Sequence, residues 1–241
     1  MWEFLWRLGF RVIPMLIERY LHHVRVERPA ASETAMEARE RLREKFPRPA
    51  LRRMTHLGLL LGATLEGVDL RADDAVVYAS SYAETRALED FLTSFPAASP
   101  LLFQTSIHPG GVQQVSIGRQ QPIARLWPLA GRARLVEQAL TTAGLETAPR
   151  VLLLAGEERG TWLLENEMAS ARAFALALEL TREAAGAVGR VACASDESDP
   201  RAADRPVDEN CPTLAELADA VADRRDLAWR GVGGTWTVEW R

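Results

Sequence analysis

The sequence predicts a layered α/β protein whose mixed, partly parallel sheet carries helices on both faces. Short β-branched or leucine-rich runs bounded by turn residues alternate with longer stretches of helical periodicity through most of the chain. The clearest run, Val151 to Ala155, is apolar without interruption, as a strand covered on both faces must be. With 241 residues, 47% of them hydrophobic and 26% charged, the chain can bury one sizeable core of ordinary composition.

In chain order, residues 1 to 30 are expected to form an N-terminal amphipathic helix ahead of a main domain over 31 to 241. The apolar residues Trp2, Phe4, Leu5, Trp6, Phe10, Ile13, Leu16 and Ile17 are interrupted by Glu3, Arg7, Arg11, Glu18 and Arg19. No apolar run therefore reaches the roughly 20 residues of a membrane span. Such a helix packs on this protein or a partner, or lies on a membrane surface with its arginines snorkelling. Pro14 should kink it. Ser32 to Lys45 is a charged helix ended by Pro47 and Pro49. Arg52 to Val68 is a buried helix with Met54, Leu57, Leu61 and Leu65 at helical spacing, in which Gly58 and Gly62 let another backbone approach.

Ala75 to Ala79 reads as a buried strand. Glu84 to Phe95 reads as a helix with Leu88, Phe91, Leu92 and Phe95 on one side. Pro96 to Gln121 reads as a loop-rich section, Pro122 to Leu129 as a strand and Arg132 to Ala143 as a helix. Asn166 to Ala184, mostly alanine and leucine, reads as a helix lying between layers. Val188 to Ala194 reads as a strand and Asp196 to Asn210 as an exposed loop. Thr213-Leu-Ala-Glu216 is a capping box opening a helix to about Arg224. Thr235 to Trp240 alternates as a half-buried strand does.

A net charge of −4 gives no general case for nucleic-acid binding. Cys193 and Cys211 are too few for a disulfide framework, and with His22, His23, His56 and His108 they show no zinc spacing, so neither metal nor cofactor is expected. Ser106 and His108 share a glycine-proline loop, but nothing in the sequence places an acid behind the histidine. The stretches Gly110–Gly111 and 231–234 match neither the dinucleotide nor the P-loop spacing and read as turns. Glu157 and Glu158 follow a strand, where α/β proteins place function, although exposed solvating charge explains them better. Seven basic residues between Met36 and Met54 face three acidic ones, which suits an acidic partner as well as a solvated helix face.

The runs PALRRMTHLGLLLGATLEGV, DDAVVYASSYAETRALEDFL, SPLLFQTSIHPGG, QPIARLWPLAGRARLVEQAL and RVLLLAGEE, in this order, resemble the N-terminal lobe of β-ketoacyl synthases. They are similar to the short ketosynthase N-terminal-like family of aryl polyene and related xanthomonadin-type pigment clusters. The resemblance covers about residues 47 to 182. Residues 1 to 46 fit it poorly, although His23-Val-Arg-Val-Glu27 is a candidate for its opening strand.

What the resemblance implies is a truncated, thiolase-like half-fold. PLAGRARL puts Gly131 where a working ketosynthase has its cysteine, at a helix N-terminus that lowers a thiol's pKa. The histidines that assist condensation belong to a C-terminal lobe for which no sequence remains, so the chain is expected not to be an enzyme by itself. It would instead resemble a chain-length factor, cytoplasmic or peripheral to the inner membrane, paired with a full-length β-ketoacyl-carrier-protein synthase.

Under that resemblance Ile123, Ala124, Arg125, Leu126, Trp127 and Pro128 form the partner interface. Leu101, Leu102, Phe103 and Gln104 line the partner's acyl pocket, and Arg39, Arg43, Arg48, Arg52 and Arg53 dock an acyl carrier protein. Two alternatives stand beside it: a stand-alone acyl-thioester hydrolase or transferase using Ser106 and His108, and a membrane-surface scaffold for a pigment assembly.

Overall fold

A computed structural model describes residues 17–194, 211–232 and 234–241. The apolar run near residue 150 becomes β4 (Arg150–Glu157), with all eight residues buried. It lies inside one eight-stranded sheet with β1 (Ile17–Glu27), β2 (Ala75–Ser80), β3 (Arg125–Ala130), β5 (Phe174–Thr181), β6 (Gly189–Ala194), β7 (Leu227–Gly231) and β8 (Gly234–Trp240), in the order β3-β2-β4-β5-β1-β6-β8-β7. β2 pairs parallel with β3 and with β4, and every other pairing is antiparallel.

The helices are α1 (Ala35–Leu42), α2 (Arg48–Leu51), α3 (His56–Thr64), α4 (Thr85–Thr93), α5 (Pro100–Thr105), α6 (Gly110–Arg119), α7 (Leu135–Leu145) and α8 (Leu214–Ala222). Period-two alternation divides the strands between two cores. Ala75, Val77, Ala79, Val151, Leu153 and Ala155 face α7 and α8. Val76, Tyr78, Leu152 and Leu154 face α1, α3 and α6. Both faces of the sheet are thus covered, as the apolar runs require.

α3 is buried along its whole length, and its two glycines each admit a side chain rather than another backbone. A Cβ on Gly58 would stand 2.5 Å from the Gln114 amide oxygen, and one on Gly62 would stand 2.5 Å from the Phe46 ring. Gly62→Ala should therefore cost about 1–3 kcal/mol through displacement of the buried Phe46 ring. A urea denaturation midpoint checks this, and an unchanged midpoint would show that the ring yields freely. Thr213 and Glu216 make the expected reciprocal capping box at the start of α8.

Four expectations need correction. The part of the N-terminal helix that falls within the described residues is strand β1, which includes His23–Glu27 and sits between β5 and β6. Residues 1–16, with the rest of that expectation, lie outside the described residues, as does the loop over 196–210. Asn166–Ala184 is not a helix: Trp162–Asn166 is a short 3-10 turn and Phe174–Thr181 is β5, where the alternating Ala and Leu side chains fill both cores. Here tertiary burial on two faces outweighs the helical preference of alanine and leucine. Pro96–Gln121 is not loop-rich, because α5 opens at Ser99, whose side chain accepts from Leu102 N, and α6 follows. Strand β7 was not foreseen; it pairs antiparallel with β8, with Gly231 opposite Gly234.

Candidate functional site

The three parallel strands end together. β3 runs into a strand-to-helix turn at Gly131, which leads to α7. Gly131 adopts a φ of +134°, a region that favours glycine, and a Cβ built there would meet nothing within 4 Å. Its N–H donates to the Ser80 carbonyl at 3.3 Å, which ties the turn to the end of β2. Around it, the Arg132 guanidinium lies 5.8 Å over the Tyr82 ring, and Arg134 pairs with Glu137. No side chain is available at Gly131 for acylation. Cys193 is buried in β6, in the antiparallel half of the sheet, and Cys211 precedes α8.

Beside this turn lies a buried acidic cluster. Glu157 and Glu158 are only 3% and 6% exposed, so they are not solvating charge. Glu157 ends the central β4, where it accepts from the Ser80 hydroxyl at 3.0 Å and from Ser81 N. Glu158 accepts from Leu57 N at 2.9 Å, in the first turn of α3. Burial pushes both carboxyls from an ordinary 4.5 up to about 7. In this interval the native state holds protons that the unfolded chain releases, so their contribution to stability is full below about pH 4.5 and is lost as pH rises through about 7.

A shift of this size corresponds to about 3 kcal/mol per group. Glu158→Gln should accordingly flatten the pH dependence, with wild type losing stability relative to the variant between pH 5.5 and 8. Parallel urea midpoints for the two proteins across that range would contradict this origin of the slope.

Glu84 is the third buried acid. It accepts from the Tyr78 hydroxyl at 3.2 Å, from Gly111 N at 2.9 Å and from His108 Nδ1 at 2.9 Å. The His108 ring stacks on Tyr78 at 4.9 Å, and its Nε2 is buried without a partner among the described residues. The expectation that no acid stands behind His108 is therefore overturned. Glu84 starts the segment after β2, and only the fold brings it to a loop 24 residues onward. The neighbouring hydroxyl is not part of this pair: Ser106 Oγ donates to Phe103 O at 2.8 Å.

Among the described residues β3 is an edge strand, paired with β2 alone, with Trp127 47% exposed and Pro128 exposed beside it. A proline there fits an edge, because the ladder loses one donor. Trp127 Nε1 donates to Glu146 at 2.8 Å, and Arg125 pairs with the same carboxylate at 2.9 Å. Ile123 and Ala124 precede the strand, and Ile123 packs on the α3 core.

Leu101 to Gln104 lie on α5, not on a loop. Leu101 and Phe103 are exposed, as are Leu88 and Leu92 on the outer side of α4 and Phe95 just beyond it, and Phe91 meets Phe95 edge-on and Phe103 at a tilt. Of the five arginines predicted for docking, two are engaged internally: Arg39 donates to Met54 O at 3.1 Å and Arg43 pairs with Glu40 at 2.6 Å. Arg48, Arg52 and Arg53 are exposed around α2 with no side-chain bond to a described residue. Leu101, Gln104 and Arg53, from two separate predicted groups, line one cleft of about 1360 Å³.

Among the described residues there is no group of three or more His, Cys, Asp or Glu arranged to hold a metal, and no helix long and apolar enough to cross a membrane.

No family model matches the chain, and no curated protein does. Among solved structures, the chain is similar to one described as the ketosynthase ApeO in complex with its chain length factor ApeC, from Xenorhabdus doucetiae. The identity is 18% over 92% of this chain and 98% of the matched one, with a TM-score of 0.59. It also matches a 3-oxoacyl-(acyl-carrier protein) synthase from Burkholderia xenovorans LB400, at 13% identity over 92% of this chain and 64% of that one, with a TM-score of 0.38. A third match is OleA H285N from Xanthomonas campestris, at 11% identity over 83% and 66%, with a TM-score of 0.40. The first match establishes a ketosynthase-type, thiolase-like fold over nearly the whole of both chains, and the other two are too distant to add to it.

Proposed function

We propose that the chain is a chain-length-factor-like subunit that pairs with a full-length β-ketoacyl-carrier-protein synthase and performs no condensation itself. One observation carries the reading: the exposed edge strand β3 leads directly into a strand-to-helix turn whose residue, Gly131, offers no nucleophile. The solved structure with the same fold, a ketosynthase with its chain length factor, supports it.

In this reading Trp127 and its neighbours on β3 meet the partner, and the exposed apolar side of α5, with Leu101, Phe103 and Gln104, reaches toward the partner's acyl pocket. The unpaired Arg48, Arg52 and Arg53 attract the acidic surface of an acyl carrier protein in the cytoplasm. The pathway would be of the aryl polyene type.

Chemistry then divides between the subunits. The partner's cysteine carries the acyl group, and this chain contributes surface, orientation and exclusion of water. Co-expression with a full-length β-ketoacyl-carrier-protein synthase should give a stoichiometric complex on size exclusion. Mass spectrometry after loading with acyl carrier protein should find the acyl adduct on the ketosynthase alone. A monodisperse chain indifferent to the ketosynthase, or an acyl adduct on this chain, would sink the reading.

A further inference from the structure

The cleft that joins Leu101, Gln104 and Arg53 lies between α2, α3, α5 and α6, on the face of the sheet away from α7 and α8. It exists because α2 rides on α6 at one point of close contact: a Cβ on Gly118 would stand 3.1 Å from Ala50 Cβ. Away from that contact the helices part. The cleft is walled by Phe46 and Met54 from the buried side and by Leu101, Ile107 and Ile117 from the solvent side, the last three exposed.

The polar groups of the cleft are unevenly satisfied. Its acids are already engaged: Glu66 lies between Lys45 at 2.8 Å and Arg25 at 2.7 Å, and Asp69 accepts from Gln121 at 2.9 Å. The Arg119 guanidinium is also engaged, closing the end of α3 on the carbonyls of Val68 at 2.7 Å, Leu65 at 2.8 Å and Gly62 at 3.3 Å.

What remains unanswered is donors. Gln114 uses its amide oxygen for Thr55 N at 2.7 Å, and its buried Nε2 has no partner among the described residues. Arg53, on the rim, has no acceptor among them either, and Arg48 and Arg52 beside it add two further uncompensated positive charges. A buried donor without an acceptor is costly, and an uncompensated guanidinium cluster beside an apolar wall favours a ligand with an anionic end.

We propose that this cleft binds a soluble single-chain anionic amphiphile, an acyl chain lying along Met54, Leu101 and Ile117 with its carboxylate or phosphate head held by Arg53 and the Gln114 amide. The volume, about 1360 Å³, exceeds the roughly 300–1,000 Å³ typical of small-ligand pockets and suits an extended chain. None of these residues belongs to β3, but Leu101 and Arg53 also face the partner and the carrier protein in the reading above, so Ile117, which belongs to neither group, separates the cleft from the pairing.

The test is calorimetric titration of the full chain with dodecanoate below its micelle concentration, beside 1-dodecanol, inorganic phosphate and anionic vesicles. Saturable one-to-one binding of dodecanoate is expected, at least tenfold tighter than dodecanol, with no measurable binding of phosphate alone. Arg53→Glu and Ile117→Glu, both at exposed positions, should each weaken dodecanoate at least tenfold.

Absence of saturable dodecanoate binding, or binding unchanged in both variants, would overturn the proposal. So would phosphate binding as tightly as dodecanoate, or binding to vesicles alone, because these outcomes assign the arginines to a bare anion patch or a membrane surface. Ile117→Glu should leave co-purification with the ketosynthase intact, so failure of the cleft and failure of the pairing are read separately.

Discussion

Replacing Arg150 with alanine should destabilise the protein by about 3–5 kcal/mol, among the largest effects of any single substitution outside the apolar core. Arg150 opens β4 and is 6% exposed; its Nε donates to Asp74 Oδ1 at 2.8 Å and its Nη2 to the other oxygen of the same carboxylate. Asp74 is 3% exposed and also accepts from Arg71 N at 2.7 Å. The fork therefore clamps the turn that launches β2 against the start of β4, its parallel neighbour.

Removing the guanidinium leaves the buried Asp74 carboxylate with the Arg71 amide, and Glu179, 3.5 Å from Arg150, without its partner; that uncompensated charge is the source of the cost. Arg150→Ala paired with Asp74→Asn should recover part of the loss, because the neutral amide no longer requires a counter-charge. Chemical denaturation of the two single variants and the double variant measures this directly. Strictly additive losses would show that the two side chains act separately.

The second large effect concerns association. Trp127→Asp should abolish co-purification with the ketosynthase while leaving the isolated chain folded. Trp127 is 47% exposed, so aspartate there meets water in the free chain, and only one indole hydrogen bond, to Glu146, is lost. In an interface the same change removes an aromatic anchor and introduces a charge that must be desolvated. Large anchors of this kind cost 2 kcal/mol or more, roughly thirtyfold in affinity. Retention of a stoichiometric complex by Trp127→Asp would move the interface elsewhere, and the exposed apolar side of α4 and α5 would be the next surface to examine by the same substitution at Phe103.

The parallel half of the sheet was readable because its residues announce their surroundings. Val151–Ala155 and Ala75–Ala79 are apolar on both sides of the strand, and the glycine at 131 marks the turn between a strand and a helix. The antiparallel half was not, for reasons visible in single side chains. In β1 the buried alternate set is Ile17, Arg19 and Leu21. Arg19 hides its charge by donating to the carbonyls of Gly144 and Glu146, which disguises the period of two. On the outer side, Glu18 is matched by Arg190 of the neighbouring strand, a contact no local pattern reveals.

The acidic cluster was illegible for the same reason. Glu158 meets Leu57, Glu157 meets Ser80, and Glu84 meets His108 across 101, 77 and 24 residues, so each carboxylate has its meaning only after folding. A run of two glutamates in isolation is indistinguishable from a solvated turn.

The place of β1 in the sheet has a consequence for how the protein must be made. Its two neighbours are β5 and β6, so this strand, the first of the described ones, has no hydrogen-bonding mate among them until Phe174–Thr181 has been synthesised. At about 5–20 residues per second that is a wait on the order of ten seconds or more, with both strand edges open. β2, β3 and β4 can assemble with α3, α6 and α7 in the meantime, and β1 is then inserted between β5 and β6, both antiparallel to it. Nascent chains arrested before residue 174 should consequently depend on chaperones that shield an unpaired strand, and full-length chains should not.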